Sequence, residues 1–215
     1  MKRHELIEQV AAVIAEIEIG HPVRVAIDGV DAAGKTTFAD ELVVPIKRCG
    51  RPIIRVTVDR FHNPRAIRYF RGRHSAEGYY RDSFNYDALI GNVLEPLGPG
   101  GSKQYRPAAF DYKTDEPIIS PQFRAADDAV LLVDGIFLQR PELHDYFDFT
   151  IFLDVRLEIS TERMAARDGI AADNRRYVEG QRIYLTECRP QSLARIVVDN
   201  NDLANPEVYF NLDRI

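Results

Sequence analysis

The chain has 215 residues, 45% of them hydrophobic, which is enough for a single α/β domain with a sizeable core. Its formal charge of −5, from 28 basic and 33 acidic side chains, sets the surface as a whole against nucleic acid and anionic membranes, so any anionic ligand must be met locally. Cys49 and Cys188 have neither CxxC nor His/Cys ligand spacing; they suggest no disulfide framework or zinc site, and a reducing, cytoplasmic setting is expected.

In chain order, Leu6, Ile7, Val10, Val13, Ile14 and Ile17 recur at helical spacing and predict an amphipathic helix over 4–19, closed by Gly20 and Pro22. Glu5, Glu8, Glu16 and Glu18 interrupt the apolar run that a signal peptide needs, and no stretch is long enough to span a bilayer. "VRVAID" (23–28), "IIRVTVD" (53–59), "AVLLVD" (129–134), "FTIFLDV" (149–155) and "RIVVD" (195–199) read as five short strands alternating with helices, hence a parallel sheet covered on both faces. Four of these runs end at an aspartate, Asp28, Asp59, Asp134 and Asp199, so carboxylates gather at the edge where open α/β sheets bind ligands. Between the second and third strands lies an insertion, 60–128, with a helix expected at 85–97; it is too long for a mere connection. Breaks at Gly169 and Asp173 between two helical patterns suit a mobile lid over about 169–182.

The first strand runs into Gly29, Val30, Asp31, Ala32, Ala33, Gly34, Lys35, Thr36 and Thr37, the GxxxxGK[ST] phosphate-loop pattern, and a helix follows. That context assigns these nine residues to ATP. The loop N–H groups and the helix N-terminus face an anion, Lys35 bridges the terminal phosphates, Thr36 offers its hydroxyl to Mg²⁺, and Thr37 donates to an α-phosphate oxygen. Asp134, closing the apolar "LLVDG", supplies the second metal-side oxygen. No guanine-reading NKxD stretch is present, and the chain is short for a mechanical ATPase, which leaves a small-molecule kinase.

On the acceptor side, Asp59 closes the second strand, where a carboxylate can take the proton of an attacking hydroxyl. His62 stands alone in a loop, a setting more often structural than catalytic. Residues 60–81 hold six arginines, Arg60, Arg65, Arg68, Arg71, Arg73 and Arg81, against Glu77 alone, interleaved with Tyr69, Phe70, Tyr79 and Tyr80. Such a segment can clamp an anion and stack a base, or equally be a solvated basic loop. Arg163 and Arg167 lie four apart on one helix face; they are expected to neutralise the transferring phosphoryl group, with Arg175, Arg176 or Arg182 joining from the lid. Pairing with neighbouring acids is the alternative for each arginine.

The order and spacing of "IDGVDAAGKTTFADEL", "VDRFHNP", "YYRDSFNYDAL", "AAFDY", "LLVDGIFL", "PELHDYFDFTIFLDV", "RMAARD" and "VVDN" resemble the uridine kinase and phosphoribulokinase family of phosphate-loop kinases over nearly the whole chain. The resemblance implies a P-loop NTPase fold, a doubly wound five-stranded parallel sheet in the order 2-3-1-4-5 with a helical lid, Mg²⁺-ATP as donor, and Asp59 as the acceptor-side base. Where the family's FDHPDAF segment places a ribose-binding Asp, this chain offers Asn85, with Asp87 as the nearest carboxylate. Where the family's pyrimidine reader resembles YDF followed by a His, it has Phe110, Asp111, Tyr112 and then Asp115. Arg81, Asn85, Asp87, Phe110 and Tyr112 are therefore the expected acceptor contacts beside Asp59. The expected acceptor is a ribonucleoside such as uridine or cytidine; a sugar, sugar phosphate, pantothenate-like or nicotinamide riboside-like molecule is the near alternative, since losing both readers weakens selection for uridine. A nucleotide-responsive RNA- or protein-binding module without kinase activity is the different-class alternative, and a homo-oligomer is left open.

Overall fold

A computed structural model describes residues 1–168 and 175–211. The β-branched runs pair as a sheet: β1 (Val23–Gly29), β2 (Ile53–Thr57), β3 (Val130–Asp134), β4 (Phe149–Asp154) and β5 (Ile196–Asp199) are parallel, in the order 2-3-1-4-5. All of β1 is buried, as a central strand covered on both faces must be. The sheet does not stop at five strands. A sixth, β6 (Glu207–Phe210), pairs antiparallel with β5 and makes the sheet mixed. Its four residues, Glu-Val-Tyr-Phe, have no buried member, and a run this short at a sheet edge carries little periodicity to mark it.

Helices α1 (Arg3–Ala15) and α2 (Lys35–Arg48) cover one face, where Leu6, Val10, Ile14, Phe38, Leu42 and Ile46 pack on Val25, Ile27, Leu132 and Ile151. The first helix ends at Ala15, four residues before the expected boundary, and Val13 is exposed. The other face carries α3 (Ala76–Asp82) and α5 (Arg175–Cys188), with Tyr80, Phe137 and Tyr184 packed together at their base. Helix α4 (Leu157–Asp168) follows β4. In the insertion, the helix expected over 85–97 is one α-turn, Tyr86–Leu89, running into a π-helical turn, Ile90–Leu94.

Of the expected lid, 169–174 lies outside the described residues. Residues 175–182 form the first half of α5, packed on α3. A Cβ added at Gly180 would come within 2.7 Å of Tyr79 Cδ1 and 3.0 Å of the Ala76 carbonyl, so glycine permits this close approach.

Candidate active site

The strand register aligns the site. Asp134 ends β3 beside Ile27 of β1 and Thr57 of β2, at the carboxyl edge of the sheet. Next to it the phosphate loop turns from β1 into α2 through Ala32 (φ 52°) and Gly34 (φ 91°); the second is a left-handed helix cap that suits glycine. Three loop N–H groups are engaged inside the protein: Gly29 with Asp28 Oδ1 (2.7 Å), Asp31 with Gln181 Oε1 (2.5 Å) and Ala33 with the Val30 carbonyl (3.1 Å). The first bond of α2 is Phe38 N–H to the Gly34 carbonyl, which leaves the N–H groups of Lys35, Thr36 and Thr37 without intrahelical acceptors. Those three residues, with Asp31, Ala32 and Gly34, border a cleft of about 760 Å³. Gly29, Val30 and Ala33 shape the loop from behind instead.

Lys35 curls back so that Nζ donates to the Val30 carbonyl at 2.7 Å. Shielding from water lowers its pKa, opposed by the carboxylates of Asp31, Asp28, Asp59 and Asp134. The Thr36 hydroxyl donates to Asp134 Oδ2 at 2.6 Å, while Arg55 Nη1 donates to Asp134 Oδ1 at 3.0 Å and also to the Leu132 carbonyl. A hydroxyl and a buried, oriented carboxylate thus converge from two elements as hard oxygen donors, a pair that fits Mg²⁺.

Asp59 sits on a 3₁₀ turn, Val58–Phe61, after β2, and opens to the same cleft. Shielding from water pushes its pKa up; His62 and Lys35 pull it back, and the charges of Asp134 and Asp31 add to the rise. His62 lines the cleft too, its Nδ1 2.9 Å from the Asp59 carbonyl. Its ring lies between Phe84 (centroids 4.6 Å) and Tyr112 (5.1 Å). Burial lowers the His62 pKa, against the pull of that hydrogen bond. Tyr79 and Tyr177, edge to face at 4.8 Å, add an aromatic wall near Asp31.

Tyr112 reaches the cleft, but the other expected acceptor contacts do not border it. Arg81 pairs with Glu77 and Glu187. Asn85 is a helix cap, its Oδ1 accepting from Ala88 N–H at 2.9 Å. Asp87 is exposed, and Phe110 is buried in a two-residue ladder with Pro117. Asp115 turns away to Arg68 (3.0 Å) and the Arg65 N–H (3.0 Å). Arg60, Arg71 and Arg73 also stay outside the lining, Arg71 paired with Asp82. Arg163 and Arg167 do line the cleft; Arg163 donates to the Asn200 and Asn201 carbonyls, and its Nη1 is buried without a partner. Arg176 does not line the cleft: it is buried, donating to the Arg68 and Arg73 carbonyls, with its guanidinium over the Tyr69 ring at 4.7 Å. Arg182 pairs with Glu179.

Two features escaped the sequence. Phe84, not Asn85, is the side chain of the "SFNYDAL" segment that faces the cleft. Behind the loop, Asp28 is fully buried, accepting from Gly29 N–H and from the hydroxyl of Tyr184, with Gln139 Nε2 at 3.5 Å. Burial outweighs those bonds and the Lys35 charge and raises its pKa to about 6. Gln181 and Tyr184, one turn apart on α5, thus grip the phosphate loop from behind, a contact between distant segments that no local motif encodes.

A sheet in this order, a phosphate loop between β1 and α2, and Thr36 bonded to Asp134 define a P-loop NTPase fold. The sequence from 25 to 175 matches the model of the phosphoribulokinase/uridine kinase family, and the chain belongs to that family. Similar solved structures include a possible uridine kinase of Bacillus stearothermophilus (23% identity, TM-score 0.73, covering 91% of this chain and 98% of that one). A Silicibacter sp. protein provisionally assigned as a fructose transport system kinase is 19% identical (TM-score 0.65, 90% and 95%). A D-glycerate 3-kinase of Cryptococcus neoformans is 12% identical (TM-score 0.57, 95% and 99%). At these identities the likeness is one of fold. No curated protein sequence matches the chain. No helix among the described residues is long and apolar enough to cross a membrane.

Proposed function

We propose that this kinase transfers the γ-phosphoryl group of Mg²⁺-ATP to a hydroxyl of an uncharged small molecule, a ribonucleoside such as uridine or cytidine being the acceptor class. The observation that carries this reading is the wall beside Asp59: Phe84, His62 and Tyr112 offer flat apolar surface to a base, and every arginine of 60–81 lies outside the cleft. A nucleoside fits that wall without charge, whereas an anionic sugar would meet, among the described lining residues, the cations Lys35, Arg163 and Arg167 that this reading gives to the transferring phosphates.

The N–H groups at the start of α2 hold phosphate oxygens, and Lys35 leaves the Val30 carbonyl to meet the terminal phosphates. Thr36 and Asp134 would hold Mg²⁺, which would supply positive charge to the ATP phosphates. Asp59 accepts the proton of the attacking hydroxyl, and its raised pKa brings its basicity closer to that task at neutral pH. Arg163 and Arg167 stand on the opposite helix, where positive charge stabilises the phosphoryl group in transfer.

The test is ADP release with Mg²⁺-ATP against nucleosides, pentoses, fructose, glycerate, sugar phosphates and vitamins, with Lys35→Ala as control. Stimulation by uridine or cytidine supports the proposal, and stimulation confined to an anionic sugar refutes the acceptor assignment. Silence across the panel favours an ATP-responsive binding protein, which would keep salt-sensitive RNA or protein binding in Lys35→Ala.

A further inference from the structure

Within the phosphate loop, one side chain has no use in holding phosphate. Asp31 brings a carboxylate to the cleft edge of a loop whose backbone attracts anions, and its own N–H is turned away to Gln181. Three contacts hold the residue in place. Its carbonyl accepts from the Ser160 hydroxyl at 2.7 Å, its N–H donates to Gln181 at 2.5 Å, and its Oδ2 accepts from the Tyr79 hydroxyl at 2.8 Å. Among the described residues Oδ1 has no hydrogen-bond donor, and the residue is only half-buried, so that oxygen is open to a ligand. Tyr79 itself is clamped between Tyr177 and Phe137 and against Gly180, so its hydroxyl is a fixed donor. The carboxylate also acts over the cleft: its charge adds to the rise of the Asp59 pKa and is the largest attraction on Lys35.

Resting on the kinase reading above, we propose that Asp31, oriented by Tyr79, determines acceptor specificity: its open oxygen accepts from acceptor hydroxyls and its charge turns away acceptors that carry a phosphate or carboxylate. Three carboxylates, Asp31, Asp59 and Asp134, then line the cleft, and the two not assigned to the metal, Asp31 and Asp59, favour a neutral polyol. A hydroxyl that fails to find Asp31 leaves a polar group unpaired, whereas an anion meets like charge, so selection operates by both attraction and repulsion. Tyr79 is a positioning residue in this arrangement.

The experiment compares kcat/KM for matched neutral and anionic acceptors, the nucleosides uridine and cytidine against their 3′-monophosphates, which keep the 5′-hydroxyl free, and fructose against fructose 6-phosphate, in wild type, Asp31→Asn and Tyr79→Phe. The wild type is expected to favour the neutral member of each active pair. Asp31→Asn lowers that preference at least ~10-fold, mainly through acceptor KM, with the KM for ATP unchanged; Tyr79→Phe shifts it the same way by a smaller factor. A preference ratio unmoved in Asp31→Asn overturns the inference while leaving the kinase reading intact. So does a rise in the Mg²⁺ or ATP requirement alone, which would assign the carboxylate to the donor side. Absence of acceptor-stimulated ADP release from the wild type with every compound refutes the kinase reading and this inference with it.

Discussion

Asp28→Asn tests whether a buried charge is held behind the phosphate loop at a cost in stability. The carboxyl is fully buried and its pKa rises from 3.8 to about 6. A raised pKa means that the folded protein keeps the proton longer than the unfolded chain. The stability given by the protonated form is complete below 3.8 and lost as pH climbs through about 6. At ~1.4 kcal/mol for each tenfold change in proton affinity, the full loss is about 3 kcal/mol, of which about 2 kcal/mol falls between roughly pH 4.5 and 7.5. Asparagine keeps one oxygen to accept from Gly29 N–H and turns its Nδ2 to the Tyr184 hydroxyl, which can accept as well as donate, and it does not titrate. Urea unfolding of both proteins at a series of pH values gives the difference directly. The variant should gain on the wild type by about 2 kcal/mol as pH rises across that window. A difference that stays flat with pH would refute the reasoning, because it would mean that Asp28 titrates alike in the folded and unfolded chains.

Asp59→Asn should cut kcat by about 10²–10⁴-fold with ATP affinity unchanged, since it removes a base and not a phosphate ligand; kinetics with ATP binding measured separately decide this. In the wild type, kcat/KM should rise with pH along a limb displaced above the ordinary carboxylate range, because the base works only when ionised and its pKa is raised; in Asp59→Asn that limb should vanish. Arg55→Met removes the Nη1 bond to Asp134 at 3.0 Å and should raise the Mg²⁺ requirement about 10–100-fold, read from activity titrated with Mg²⁺. Gly180→Ala drives a methyl into Tyr79 and the Ala76 carbonyl and should destabilise by about 1–3 kcal/mol, seen as a lower midpoint in thermal or urea unfolding.

What the sequence determined by itself is whatever is encoded in adjacent residues. The phosphate loop is a run of nine positions whose glycines, lysine and threonines act through the backbone turn they form, and five parallel strands announce themselves as buried β-branched runs. Asp134 was legible for the same reason, closing an apolar strand that leads to the ligand-binding edge. The tertiary structure decided which side chains of the insertion reach the cleft. Asn85 and Phe84 are neighbours in the chain, and a two-residue stretch cannot say which one caps a helix and which one faces the acceptor; the docking of Asn85 N–H on the Phe61 carbonyl sets that choice. The arginines of 60–81 form a basic run in the sequence, yet Arg68 turns to Asp115, as the buried Arg176 turns to backbone carbonyls, because a charge removed from water takes the nearest partner regardless of sequence separation, and the exposed Arg71 pairs with Asp82. The grip of Gln181 and Tyr184 on the loop joins segments about 150 residues apart, and the four-residue edge strand β6 exists only because β5 offers it a free row of hydrogen-bonding groups.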